Sequence, residues 1–134
     1  YLDYFWKMKI GIIREQKVPT DKRVVFTPDT CVKTVKKYPD IEFFIEKSNM
    51  RCFLDKEYSE KGFHIVDDVS NCDILIGIKE VPIEKLIPNK KYFFFSHTIK
   101  EQEYNRDMIK EIVKRNNLIL VGDEDTFPVF SSDI

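Results

Sequence analysis

The chain has 134 residues, enough for one domain with a sizeable core. Hydrophobic residues make up 43% and charged residues 34%, which excludes a disordered chain. With 22 basic against 23 acidic residues and a net charge of -1, the basic surplus of a general nucleic-acid binder is missing.

In chain order, Tyr1–Lys7 reads as an aromatic leader outside the fold. Met8-Lys9-Ile10-Gly11-Ile12-Ile13 is a short apolar run of strand type. Arg14–Arg23 is polar, contains Pro19 and reads as a loop. After Val24-Val25-Phe26, the run Thr27-Pro28-Asp29 signals a helix start: an N-cap, a proline in the first turn and an acid beside it. Val32, Val35 and Lys36 give that helix a modest stripe, and Pro39 stops it. Ile41–Ile45 is the next strand, Asp55–Glu60 a short helix, and Gly62 its C-terminal cap. Further strands are predicted at Phe63–Val66, Asp73–Ile78, Tyr92–Phe95 and Leu118–Val121. A helix over Asn105–Arg115 carries Met108, Ile109, Ile112 and Val113 on one face. Residues 125–134 show no period and read as an irregular tail.

Strands alternating with helices predict an α/β fold. The strands are nearly continuous apolar runs, as strands covered on both sides must be. The expected architecture is an open, mostly parallel sheet with helices on both faces, flavodoxin- or Rossmann-like. It has no nucleotide-binding glycine loop: Gly11, Gly62, Gly77 and Gly122 lie too far apart to cradle a pyrophosphate. No apolar run approaches the ~20 residues of a membrane span, and no signal peptide is visible. Cys31, Cys52 and Cys72 form no CxxC pair, so they read as free thiols with no metal role, and the location as cytoplasmic.

Ligands of open α/β sheets bind beyond the carboxyl ends of the strands. Arg14 and Glu15 follow the first strand, with Lys22 and Arg23 further into the loop. Lys79 and Glu80 follow Ile74–Ile78, and Ser96 and His97 follow Tyr92–Phe95. An arginine can grip a carboxylate with two hydrogen bonds. A lysine and a histidine can move protons. Together they suit a keto acid or an amino acid. Each also has a plainer reading: a solvated loop arginine, a surface lysine at a strand end, a histidine bonded to a loop. His64, beside Phe63 and Ile65, reads as structural.

Four ordered motifs carry a resemblance. Met8–Glu15 and Lys22-Arg23-Val24-Val25-Phe26-Thr27-Pro28 resemble the opening of the alanine dehydrogenase/pyridine nucleotide transhydrogenase N-terminal domain. Ile74-Leu75-Ile76-Gly77-Ile78-Lys79-Glu80-Val81-Pro82 is similar to a strand end of that family. Phe95-Ser96-His97-Thr98-Ile99-Lys100-Glu101-Gln102 is closest to its lysine-forming saccharopine dehydrogenase and lysine–ketoglutarate reductase branch. The family's acidic-aromatic motif after the last strand is matched only at Glu124.

The resemblance implies a substrate domain over residues 8–124, facing a separate NAD(P)-binding domain across a cleft. It implies that Arg23 grips a substrate carboxylate, with Arg14 and Glu80 also on the substrate side. Lys79 would stand near the reacting carbonyl or amine, with Glu80 orienting it, and His97 would be the acid/base. The implied chemistry is reversible reductive amination with NAD or NADP, of saccharopine/lysine or alanine type, and without a metal. The implied partners are a small keto acid or amino acid and the NAD(P)-binding domain, with no nucleic acid and no membrane. Alone, these 134 residues are expected to be inactive. The alternative is a non-enzymatic ligand-binding or interaction module, or a truncated remnant.

Overall fold

The computed structural model describes residues 7–79, 81–94 and 114–121. The apolar runs become β1 (Met8–Ile12), β2 (Ile41–Glu46), β3 (His64–Val66), β4 (Ile74–Gly77), β5 (Lys91–Phe94) and β6 (Leu118–Val121). They pair in one parallel sheet of order β3-β2-β1-β4-β5-β6. β1 sits between its two partners in matched register, with Ile10 opposite Phe43 and Ile74, and Ile12 opposite Ile45 and Ile76.

Alternate residues of these strands feed two cores. On one face Ile10, Ile12, Phe43, Ile45 and Ile76 pack with Cys31 and Tyr58. On the other, Ile13, Leu75, Tyr92 and Phe94 pack with Val69, Cys72, Val81 and Leu86. Both faces are covered, which is why the strands read as unbroken apolar runs. The expected open parallel α/β sheet is the observed one.

Cys31 and Tyr58 come from two helices on the first face, α1 (Pro28–Lys37) and α2 (Asp55–Ser59). The start of α1 is set by two threonines. Thr27 Oγ1 accepts from the Thr30 N–H at 3.0 Å, and Thr30 Oγ1 accepts from the Thr27 N–H at 2.6 Å. Each satisfies an amide that the helix leaves unbonded. Thr27→Ala is expected to destabilise the domain by about 1 kcal/mol, readable as a lower urea midpoint at an unchanged slope. The buried stripe of α1 corrects the sequence expectation. Pro28 and Cys31 are its buried residues and Val35 packs beside them, whereas Lys36 is exposed. After α2, Gly62 takes φ +94°, a left-handed cap that glycine adopts without strain.

β3 begins at His64 rather than Phe63, because Phe63 turns into the first core and meets Phe43 edge-on at 6.0 Å. His64 is exposed, stacked on Phe44 at 5.2 Å and 3.5 Å from the Glu42 carboxylate. A short 3-10 turn at Ile83–Lys85 leads into β5. Of the helix expected at 105–115, only Lys114 and Arg115 lie among the described residues. The leader through Trp6 and the tail at 125–134 lie outside them. Cys31 and Cys72 are buried thiols and Cys52 is half-buried. Burial pushes Cys31 up to about 12 and Cys72 up to about 11, so neither forms a thiolate near neutrality. Among the described residues no helix is long and apolar enough to cross a membrane.

From β1 the chain winds outward to β2 and β3, then returns to β4 on the other side of β1 and continues to β5 and β6. The switch between the two directions falls between β1 and β4. A crevice opens there beyond the carboxyl ends of the strands, the standard ligand position of this architecture.

Candidate functional site

Ile13 prolongs β1 by donating its N–H to the Ile76 carbonyl at 3.0 Å. The next two residues therefore leave the sheet at the crevice. Glu15 turns back across it. Its carboxylate oxygens accept from the N–H groups of Ile78 and Lys79, each at 2.9 Å. Gly77 makes room for this reach: a Cβ there would stand 2.9 Å from the Ile13 side chain and 3.1 Å from Glu15 Oε2. Burial pushes Glu15 up from the ordinary 4.5 to about 7, against the pull of the two backbone N–H groups. Asp21 adds to the rise and Arg51 opposes it.

A second carboxylate organises the cations. Asp21 is only 7% exposed and takes Arg23 as a two-toothed partner, with Nε at 3.0 Å and Nη2 at 2.8 Å. It also accepts the Arg23 backbone N–H at 3.0 Å, and Lys79 Nζ stands 4.0 Å away. Burial would push Asp21 up. The hydrogen bonds from Arg23 and the charges of Arg23 and Lys79 outweigh it and hold the carboxyl below its usual range. It is therefore ionised at neutral pH. Arg23 and Lys79 keep 35% and 29% of their side chains exposed, and Arg23 lines the crevice.

Arg51 closes the floor. Its side chain is 4% exposed, and its guanidinium donates to the Glu46 carbonyl at 2.9 Å and to Asp55 at 3.2 Å. It also lies 5.7 Å from the centre of the Tyr58 ring. Arg14 is exposed at the rim, its backbone N–H bonded to the Glu46 carboxylate at 2.8 Å. Arg14, Glu15, Asp21, Arg23 and Arg51 line one small cavity of about 20 Å³, room for about one water. It adjoins an open cleft of about 590 Å³ walled by Arg14, Glu15, Gln16, Lys47, Ser48 and Lys85, among others. The two spaces share Arg14, Glu15 and Ser48, and Arg23 lines the smaller one.

Of the residues singled out from sequence, the structure gathers Arg14, Arg23 and Lys79 at this crevice. Glu80 and His97 lie outside the described residues. Asp21 and Arg51 were not anticipated. Asp21 had a faint signal, an acid two residues before Arg23 in a polar loop. Arg51 had none, because its partners are a backbone carbonyl and a carboxylate that only the fold brings to it.

The crevice does not fit a dinucleotide. No glycine lies between β1 and α1, and the Glu15 carboxylate stands at the switch point, where a pyrophosphate would need N–H donors. Among the described residues no group of three or more His, Cys, Asp or Glu could hold a metal ion.

The switch-point crevice is lined by Arg14, Arg23 and Arg51 together with Glu15 and Asp21, and no glycine lies between β1 and α1. The alanine dehydrogenase/PNT N-terminal domain family matches residues 11–132, and the chain belongs to that family. The mitochondrial alpha-aminoadipic semialdehyde synthase of Mus musculus is 42% identical over 109 residues, covering 81% of this chain and 12% of the relative. The NAD(+), L-lysine-forming saccharopine dehydrogenase of Schizosaccharomyces pombe is 31% identical over 115 residues, covering 80% of this chain and 30% of the relative. The chain thus spans under a third of these relatives. Among solved structures, the transhydrogenase of Sinorhizobium meliloti superposes with a TM-score of 0.65 at 14% identity, over 83% of this chain and 33% of the other. An L-alanine dehydrogenase gives 0.64 at 17% identity, over 85% and 32%. At those identities the two structures establish the shared fold. The curated relatives bear out the lysine-forming branch as the nearer resemblance.

Proposed function

We propose that this chain is the substrate-holding N-terminal domain of an NAD(P)-dependent amino-acid oxidoreductase that joins lysine and 2-oxoglutarate, or cleaves saccharopine, by reversible reductive amination. The observation that carries this reading is the pair of cations, Arg23 and Lys79, organised on the buried Asp21 carboxylate at the switch-point crevice. In this reading NAD or NADP, held by a separate domain across the cleft, exchanges hydride with the substrate. Arg23 binds a substrate carboxylate, with Arg14 at the rim. Lys79 presents an N–H donor to the reacting oxygen or nitrogen, and Asp21 limits where it stands. His97 serves as acid/base and Glu80 orients Lys79, roles that rest on their motifs. The names of the curated relatives support lysine over alanine as the amine.

Titration calorimetry of the purified chain tests the substrate class. 2-Oxoglutarate, with two carboxylates for Arg23 and the rim cations, is expected to bind about tenfold more tightly than pyruvate, a difference of about 1.4 kcal/mol. The 134 residues alone are expected not to oxidise NAD(P)H with 2-oxoglutarate and lysine present. A preference for pyruvate, or NAD(P)H oxidation by the isolated chain, would overturn the reading.

A further inference from the structure

Glu15 is a part-buried carboxylate that the proposed reaction does not use. It spans from the end of β1 to the end of β4, and it accepts from the backbone N–H of Lys79 itself as well as from that of Ile78. Three features make this a built arrangement. Gly77 leaves the space that the carboxylate fills. Both oxygens are engaged, one by each of two consecutive amides. The Lys79 ammonium then ends 4.0 Å from Asp21, the residue that also fixes Arg23.

We infer that Glu15 is a positioning residue of this site: by holding the Ile78 and Lys79 amides, it sets the point from which Lys79 reaches Asp21 and the reacting oxygen or nitrogen of a bound substrate. The inference rests on the reading above for the nature of the ligand, but the grip itself is independent of it. A strand end free to shift by an ångström would move the ammonium with it, and hydrogen bonding weakens steeply with misplacement. The ionised carboxylate is the stronger acceptor, so the grip tightens on deprotonation. The charged groups around Glu15 are Asp21 and Arg23 from the loop, Arg51 from the segment before α2, Asp55 at the start of α2, Glu46 and Lys47 at the end of β2, Asp67 after β3, Lys85 from the 3-10 turn, and Arg14 and Lys79 from the strand ends. Glutamine at position 15 keeps one acceptor oxygen but turns its amide donors toward an N–H, so one of the two bonds is lost.

Two measurements on the full chain decide the matter. In 15N–1H spectra of the unmodified chain, the Ile78 and Lys79 amides are expected to move downfield together, with a midpoint near 7. Amides that ignore pH from about 5 to 9 overturn the grip, whatever any ligand does. The second is a double-mutant cycle with 2-oxoglutarate as the probe. Glu15→Gln and Lys79→Met are each expected to weaken binding about tenfold, and the double variant about tenfold rather than a hundredfold, because Glu15 acts through Lys79. Additive losses, or no effect of Glu15→Gln on a chain that binds, overturn the positioning role. Absence of 2-oxoglutarate binding by the unmodified chain would instead count against the substrate reading, leaving the amide titration to judge the grip.

Discussion

Arg23→Ala is expected to weaken 2-oxoglutarate binding about a hundredfold, close to 3 kcal/mol. A planar guanidinium bonding a carboxylate makes two charge-assisted hydrogen bonds, each worth about 1.5–3 kcal/mol, and partial exposure to water reduces the sum. Asp21 increases the loss. It holds the guanidinium in one orientation at 2.8–3.0 Å, so little conformational freedom is given up on binding. Arg23→Lys is expected to recover less than a tenth of the affinity, since an ammonium cannot replace the fork on both partners. Calorimetric titration of the three proteins with 2-oxoglutarate reads the effect. A loss below about threefold for the alanine variant would remove Arg23 from the binding site.

Raising the pH from about 5 to 8 is expected to destabilise the domain through Glu15. Its folded value of about 7 lies above the ordinary 4.5, so between these values the folded state holds more protons than the unfolded chain. Stability from this group is complete below about 4.5 and is lost as pH rises through 7. The full difference is on the order of 3 kcal/mol. Glu46, also pushed up by burial, acts in the same direction, so the comparison needs a variant. Urea unfolding of the parent chain and of Glu15→Gln at pH 5 and pH 8 isolates Glu15 as the difference in slopes. Equal pH dependence in the two proteins would show that its ionisation costs the fold nothing. Together with the grip on Ile78 and Lys79, this places a tension in the crevice: the state of Glu15 that holds Lys79 best is the state that burial disfavours.

The strands were legible because coverage on both faces leaves an unmistakable trace, as in Ile74-Leu75-Ile76-Gly77. The start of α1 was legible because Thr27 and Pro28 act locally, within one helical turn. Arg14, Arg23 and Lys79 could be placed near one another because the rule about carboxyl ends converts position along the chain into position in space. What stayed hidden was long-range. Cys31 carries no polar or bulky signature, and its central place depends on where α1 meets β1 and β2. Arg51 looks like any loop arginine until Glu46, Asp55 and Tyr58 surround it. Glu15 was visible beside Arg14, but its partners lie more than sixty residues away, and no periodicity reports such a bond. Periodicity also says nothing of strand order, and the crevice exists only because β4 returns to the far side of β1.

That return gives the domain a history as well as a shape. β1 can pair with β2 once the chain has run past Glu46, but its other edge waits for β4. At about 5–20 residues per second, the ribosome delivers β4 several seconds after β1. Through that interval Glu15 faces water as an ordinary carboxylate, and β1 offers an open apolar edge to any neighbour. Arrival of Ile74–Gly77 seals the edge and desolvates Glu15 in the same event. The nascent chain is therefore most exposed to misassembly between the synthesis of β2 and that of β4.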